Sequence, residues 1–302
     1  MSMVSMQPSP TLNAAPDADR AANQSRKWHR LSRQPYFWIG SITLLGLVLF
    51  CFLGPYLFAH GVGYIDVPRQ FQPPSLRFPL GTNALGQNEL AQVMVGGRLP
   101  IVAGFATALI ASAIGVIAGL AAGFSGASMD NALMRLTDMV FGVPQVVPVL
   151  FFEAILGASA ETLVLTVALT AWPTTARLVR SRVLRERGLP YVEAARAAGA
   201  SGLTVLVRHV LPNIMDTIVG SVATQFGNGV LIIAITTFVG LELPPPFDWA
   251  GQIGAYGVEF LFSGYWWLFV PAGVAFSLLL LSVYFLGEAV RTAFNPQSAG
   301  RP

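Results

Sequence analysis

Apolar residues gather along this chain into long, nearly unbroken runs joined by short polar stretches, a pattern of buried spans and not of amphipathic surface helices. About 20 apolar residues cross the roughly 30 Å hydrocarbon core of a bilayer. Six stretches meet that length: 36–58, 99–123, 134–157, 162–183, 214–241 and 266–289. The connection between the third and fourth is very short, and Pro144, Pro148 and Pro173 would each kink a helix. An even number of crossings puts both ends of the chain on one side.

Arginines say which side. Loops facing the cytoplasm carry an excess of Lys and Arg close to the span ends. Arg20, Arg26, Lys27, Arg30 and Arg33 precede the first span, and Arg177, Arg180, Arg182, Arg185, Arg187, Arg196 and Arg208 follow or end the fourth. The segment 242–265 has no Lys or Arg, and 59–98 has only Arg69, Arg77 and Arg98. The expected layout is therefore a disordered cytoplasmic tail at 1–35, an anchor span at 36–58 and an extracytoplasmic loop at 59–98. A transmembrane core at 99–290 and a cytoplasmic tail at 291–302 complete it. The first run is too long for a signal peptide and stays as an anchor.

Composition agrees with a membrane bundle and narrows the chemistry. Of 302 residues, 54% are hydrophobic and 11% charged, against about 25% charged in soluble domains. The net charge of +3 follows from the inside arginines and does not call for nucleic acid. Cys51 is the only cysteine and lies in the first span, which excludes an intrachain disulfide and leaves a thiolate metal site without support. His29, His60 and His209 are scattered and form no zinc-protease pattern, so no metal site is expected. Lys27, the only lysine, sits between Arg26 and Trp28, so no Walker A loop is available. If ATP drives this chain, a partner binds it.

One stretch interrupts the apolar pattern after the fourth span: YVEAARAAGASGLTVLVRHVLPN, residues 191–213. Its alanine-rich start favours helix. Gly199 and Gly202 break that helix, and Ser201 is placed to cap a second one through Leu203 to His209. Pro212 stands in the first turn of the following span, where proline forfeits no hydrogen bond. Two short helices pinned by proline make a compact protrusion that presents Ala194, Ala195, Ala197 and Ala198 to a partner's groove.

This stretch resembles the EAA loop of ABC importer membrane subunits. Glu193, Ala194, Ala195, Gly199, Leu211 and Pro212 stand at the places of that motif. His209, where the general pattern has isoleucine, gives RHVLPN and points to the dipeptide, oligopeptide and nickel subgroup, in its second-permease type. FPLGTNALGQNELAQVMVGGRLPI, WPTTARLVRSRVL, FVGLELPPPFDWAGQI and GEAVRTAFNP resemble further segments of that subgroup, so nearly the whole chain after Pro35 is covered. The family usually has Asp where this chain has Asn83, Asn88, Asn295 and Glu288, and Arg in place of Gln87.

The resemblance implies an all-α integral membrane protein of the type I ABC importer fold, with six transmembrane helices and a cytoplasmic coupling helix pair. It implies an importer permease that moves peptides, or alternatively nickel or another small solute, across the cytoplasmic membrane of a prokaryote. The partners it implies are a homologous permease subunit, two cytoplasmic ATPases that bind ATP and Mg, and an extracytoplasmic peptide-binding protein; the chain itself would bind no cofactor. Coupling would fall to Glu193, Ala194, Ala195, Gly199, Ala200, Ser201, Arg208, His209, Leu211 and Pro212. Glu193 and the flanking arginines would orient the loop, and Gly199 would allow close approach to the ATPase.

Within the fifth span, Asn213, Thr217, Ser221, Thr224, Gln225 and Asn228 recur every three or four residues on one helix face. Such a face lines a water-filled pathway or bonds to a neighbouring helix. Ala111, Gly115, Gly119 and Gly123 in the second span recur every four residues, as a close-packing face does. Asp138 and Glu153 are the acids expected in the third span, near its two ends. With so few ionisable residues within the spans, a weakly charged pathway is expected, with selection left to the binding protein. An intramembrane enzyme built on Ser125 and His209 fails, because the two lie on separate connections and no nucleophile elbow is present. A scaffold or passive channel would need no ATPase partner.

Overall fold

The computed structural model describes residues 31–58, 63, 65–239, 248–260 and 262–294. The tail before Leu31, His60, the positions 240–247 and the end from Asn295 lie outside the described residues. Every regular element among those described is helical, apart from an isolated bridge between Thr82 and Asn88. Besides short 3-10 turns at Val67–Arg69 and Trp266–Leu268, these are in chain order α1 (Pro35–Phe52), α2 (Gly54–Phe58), α3 (Glu89–Gly96), α4 (Arg98–Phe124), α5 (Ala127–Phe141) and α6 (Val146–Leu156). There follow α7 (Ala160–Glu186), α8 (Pro190–Ala197), α9 (Gly202–Val205), a π-helical turn (Leu206–Val210), α10 (Leu211–Asn213), α11 (Met215–Phe238), α12 (Trp249–Phe260) and α13 (Val270–Phe294).

Five of these units are long and apolar enough to cross a membrane, and a sixth crossing exists if α5 and α6 count as one. The third span is thus not the single helix expected over 134–157. α5 and α6 meet at an angle of 77°. Of the three prolines, Pro144 falls in the break itself. Pro148 stands in the first turn of α6, where its missing N–H removes no bond, and Pro173 is buried within α7 without ending it. α5 is then held against α7 by charge. Arg180 donates through Nε and Nη2 to the two carboxylate oxygens of Asp130 at 2.5 and 2.7 Å, and Arg177 Nη2 donates to Asp138 at 2.5 Å.

α4 and α7 form the tightest pair in the bundle, and the glycine stripe of α4 is why. A Cβ on Gly115 would lie 2.5 Å from Thr175 Cβ, one on Gly119 2.6 Å from the Ala176 carbonyl oxygen, and one on Gly123 2.7 Å from Val183 Cβ. Only residues without a side chain let the two backbones approach this closely. α1 packs along α13 by a similar device, with Gly40 facing the Ser282 carbonyl oxygen and Tyr36 stacked on Phe285.

At the end of the bundle opposite α8, the stretch 65–88 folds down over α12 and the turn Trp266–Leu268. Trp249 Nε1 donates to the Val93 carbonyl at 2.7 Å and Trp267 Nε1 to that of Thr82 at 3.3 Å. Phe71 packs against Phe260 and Tyr265 at centroid distances of 5.2 and 4.9 Å. The segments expected as plain outer loops therefore contain helices, α12 in one and α3 in the other. Asn83 and Gln87 form a neutral pair: Asn83 Nδ2 donates to Gln87 Oε1 at 2.9 Å, and Gln92 Nε2 donates to the same oxygen at 3.2 Å. The asparagine's own oxygen accepts the backbone N–H groups of Leu85 and Gln87, so the turn is held without an ion pair between these positions.

Candidate functional site

α7 runs out of the bundle, the chain turns through α8 and α9, and α11 runs back in. The turn after α8 is fixed by Gly199, whose φ is +85°. Gly199 N–H bonds the Arg196 carbonyl at 2.9 Å and Ala200 N–H bonds that of Ala195 at 3.0 Å. These two bonds define a Schellman ending, in which a left-handed residue follows the helix and satisfies its last carbonyls. A Cβ on Gly199 would meet no atom within 4 Å, so the glycine answers a backbone requirement within this chain and not a crowded one. Ser201 caps α9 through its side chain, accepting from Thr204 N–H at 3.3 Å.

The second helix departs from the expected course. Instead of one helix through His209, α9 widens into the π turn before Pro212, and Ile214 breaks the path so that the membrane helix starts at Met215. Leu211 and Pro212 thus sit in a joint and not in the first turn of the span. Arg208 is exposed on the π turn and His209 is half-buried there.

Inside the hairpin Val192, Val205 and Val210 are fully buried, with Val179, Val183 and Ile214 beside them. Burial of each is worth on the order of 1.5 kcal/mol. Ala195 and Ala200 turn toward this cluster, while Glu193, Ala194, Ala197 and Ala198 face outward. Glu193 makes no ion pair among the described residues; the arginines do the anchoring. Arg187 Nη1 donates to the Gly123 carbonyl at 3.0 Å, where a cation suits the end of a helix, and Arg196 lies 5.7 Å from the centre of the Phe124 ring.

Outside that cluster runs a polar relay. Tyr191 Oη donates to Glu186 Oε2 at 2.6 Å and accepts from Asn213 Nδ2 at 3.1 Å, and the same Nδ2 donates to the His209 carbonyl at 2.7 Å. Burial first, and the Glu186 carboxylate after it, push the Tyr191 phenol up to about 12. Tyr191 and Glu186 carry no motif signal of their own and were not among the residues expected from the sequence.

The same two helices that flank the hairpin wall a cavity of about 880 Å³, closed on the third side by α13. Of the polar stripe in α11, Thr217, Thr224 and Asn228 line it. Ser221 and Gln225 do not: both are buried, and Gln225 Nε2 donates to the Ala171 carbonyl at 2.8 Å and to Thr175 Oγ1 at 3.0 Å, bonding α11 to α7. Gln225 thus bonds helix to helix, while Ser221 Oγ donates within α11 to the Ile218 carbonyl at 2.7 Å. Gln225→Leu is expected to lower stability by about 1 kcal/mol, the scale of interhelical bonds in membranes, read as a lowered unfolding midpoint in detergent.

The cavity is also more charged than expected. Arg182, Arg185 and Arg291 line its end nearest the hairpin together with Asp216 and Glu288. Arg182 donates to Thr217 Oγ1 at 3.0 Å and pairs with Asp216 at 3.5 Å, and Arg291 pairs with Glu288. The spacing of Leu280, Tyr284, Glu288 and Arg291 on one face of α13 was the signal that could have found this wall.

Residues 111–296 match the sequence profile of the binding-protein-dependent transport system inner membrane component. The chain belongs to that family. Residues 25–74 match the N-terminal transmembrane domain of oligopeptide transport permease C. The dipeptide transport system permease protein DppC of Bacillus subtilis is 30% identical over 89% of this chain and 84% of its own length. A putative peptide transport system permease protein of Brucella suis is 30% identical over 89% of this chain and 90% of its own. A glutathione transport system permease protein, GsiD of Pectobacterium atrosepticum, is 29% identical over 89% of this chain. In fold, the chain is similar to a solved inward-facing structure of the MetNI methionine ABC transporter, with a TM-score of 0.56 at 18% identity, covering 67% of this chain and 96% of that one. The protein is thus a multi-pass inner-membrane permease subunit of an ABC importer, and membership implies an ATPase partner and a substrate-binding partner.

Proposed function

We propose that this permease passes di- and oligopeptides into the cytoplasm through the cavity between α7, α11 and α13, driven by ATPases seated on the α8–α9 hairpin. The observation that carries this reading is that α7 and α11 both wall the cavity and both emerge into the hairpin. A tilt of the hairpin therefore moves two walls of the cavity at once. A homologous permease pairs with the open side, a binding protein delivers peptide at the end covered by 65–88, and both chain ends lie in the cytoplasm. ATP and Mg bind on two partner subunits, since the lone Lys27 offers no phosphate loop.

Peptides fit this lining better than nickel does. Thr217, Thr224, Asn228 and Tyr284 offer hydrogen bonds to amide groups along the wall, and charges of both signs at the mouth suit the two ends of a peptide zwitterion. The complete complex in proteoliposomes should accumulate labelled di-, tri- or longer peptides with ATP and not nickel. Accumulation of nickel without peptide would replace this reading by the nickel one. In the same complex, cysteines at Thr224 and Asn228 should change their labelling between ATP-free and ATP-trapped states, whereas one at Gln225 should stay protected in both. Equal labelling of all three would remove the cavity from the pathway.

A further inference from the structure

Residues 202–214 lead from the hairpin into the membrane helix α11, and they change helical register repeatedly: an α turn at Gly202–Val205, a π turn at Leu206–Val210, an α turn at Leu211–Asn213 and a break at Ile214. Leu211 N–H bonds back to the Leu206 carbonyl, the wide five-residue step of a π turn. Pro212 has no N–H to offer the turn before it. A connection of this kind is a joint: by its own backbone it transmits tilt poorly, because its bonds can exchange between registers. Coupling across it needs a tie that bypasses the backbone.

The relay at Tyr191 has that geometry. Its phenol sits on the first turn of α8, its acceptor Glu186 ends α7, and its donor Asn213 lies on the far side of the π turn, directly before the break. Asn213 also holds the last carbonyl but one of the π turn, that of His209. One hydroxyl thus ties the hairpin to the end of α7 and, across the π turn, to Asn213, two residues before α11 begins. The valine cluster beneath it is non-directional and can slide; the relay fixes angle.

We infer that Tyr191 and Asn213 are positioning residues that lock this joint, so that motion of the hairpin reaches the walls of the cavity. The inference rests on the reading of the hairpin as the ATPase seat and of the cavity as the pathway.

The test uses the complete reconstituted complex carrying a cysteine at Thr224; the native Cys51 is fully buried and silent to a membrane-impermeant thiol reagent. In the otherwise unaltered complex, trapping ATP should change the labelling rate at position 224. Tyr191→Phe, which keeps the ring, should leave copurification of the ATPases and basal ATP hydrolysis within about twofold while cutting the nucleotide-dependent change in labelling about tenfold, as loss of a coupling interaction does. Asn213→Ala should do the same, and the double variant should be no worse than either single one, since both remove one relay. Glu186→Gln, which retains an acceptor oxygen, should keep the response. A Tyr191→Phe complex whose labelling responds to nucleotide as before, or a double variant that multiplies the two single losses, overturns the lock while leaving the transport reading in place. A complex with Tyr191 and Asn213 intact that shows no nucleotide-dependent labelling overturns the transport reading, and the lock with it.

Discussion

Leucine in place of Gly119 is expected to abolish recovery of folded protein. The Ala176 carbonyl oxygen would lie 2.6 Å, and Val179 Cβ 2.7 Å, from the first atom of any side chain at 119. Overpacking a core by side-chain volume alone costs about 1–3 kcal/mol where neighbours can change rotamer. Here the first obstacle is backbone, so α4 and α7 must separate along their length, opening Gly115 and Gly123 as well. The loss should exceed that range and be read as aggregation in detergent in place of a monodisperse peak. Gly220→Leu is the control, because a Cβ there meets nothing within 4 Å. It should purify as the unaltered subunit does, and any defect should emerge only in the assembled complex, where Gly220 lines the proposed pathway. A monodisperse Gly119→Leu protein with an unchanged unfolding midpoint would refute this account of the α4–α7 contact.

That stripe was legible in the sequence because its four-residue period lies close to the helix repeat of about 3.6 and its members are only alanine and glycine. The membrane character, the hairpin and its breaking glycine were legible for like reasons: run length, propensity and an unusual backbone need. The broken third span was not, because apolar composition continues across it. Which of Pro144, Pro148 and Pro173 breaks a helix depends on where each helix begins, and composition does not mark that. The polar stripe of α11 was legible as a face and not as two. At about 100° per residue, Thr217, Thr224 and Asn228 cluster in direction while Ser221 and Gln225 fall to one flank, the flank that meets α7. The charged mouth of the cavity draws on α7, α11 and α13 together, so no single span announces it. The Tyr191 relay depends on a π turn, which carries no sequence period at all.

The hairpin permits a sharper separation of shape from contact. Gly199→Val is expected to reduce ATP-driven transport more than tenfold, and Gly199→Asn to retain most of it. At φ +85° a β-branched residue is strained, since the left-handed region costs an ordinary residue about 1–2 kcal/mol and a branched Cβ more, whereas asparagine enters it readily. Valine would therefore pull the chain out of the Schellman ending, release the Arg196 and Ala195 carbonyls, and redirect α9 relative to α8. Two variants of similar bulk thus differ in their tolerance of the left-handed region. If the glycine matters only because an ATPase groove needs a small residue there, Asn and Val should fail alike, and copurification of the ATPase should fall in both. If the turn geometry governs, only Val should lose the ATPase and transport. Retention of both activities by Gly199→Val would show that the angle between α8 and α9 is not what the motor grips.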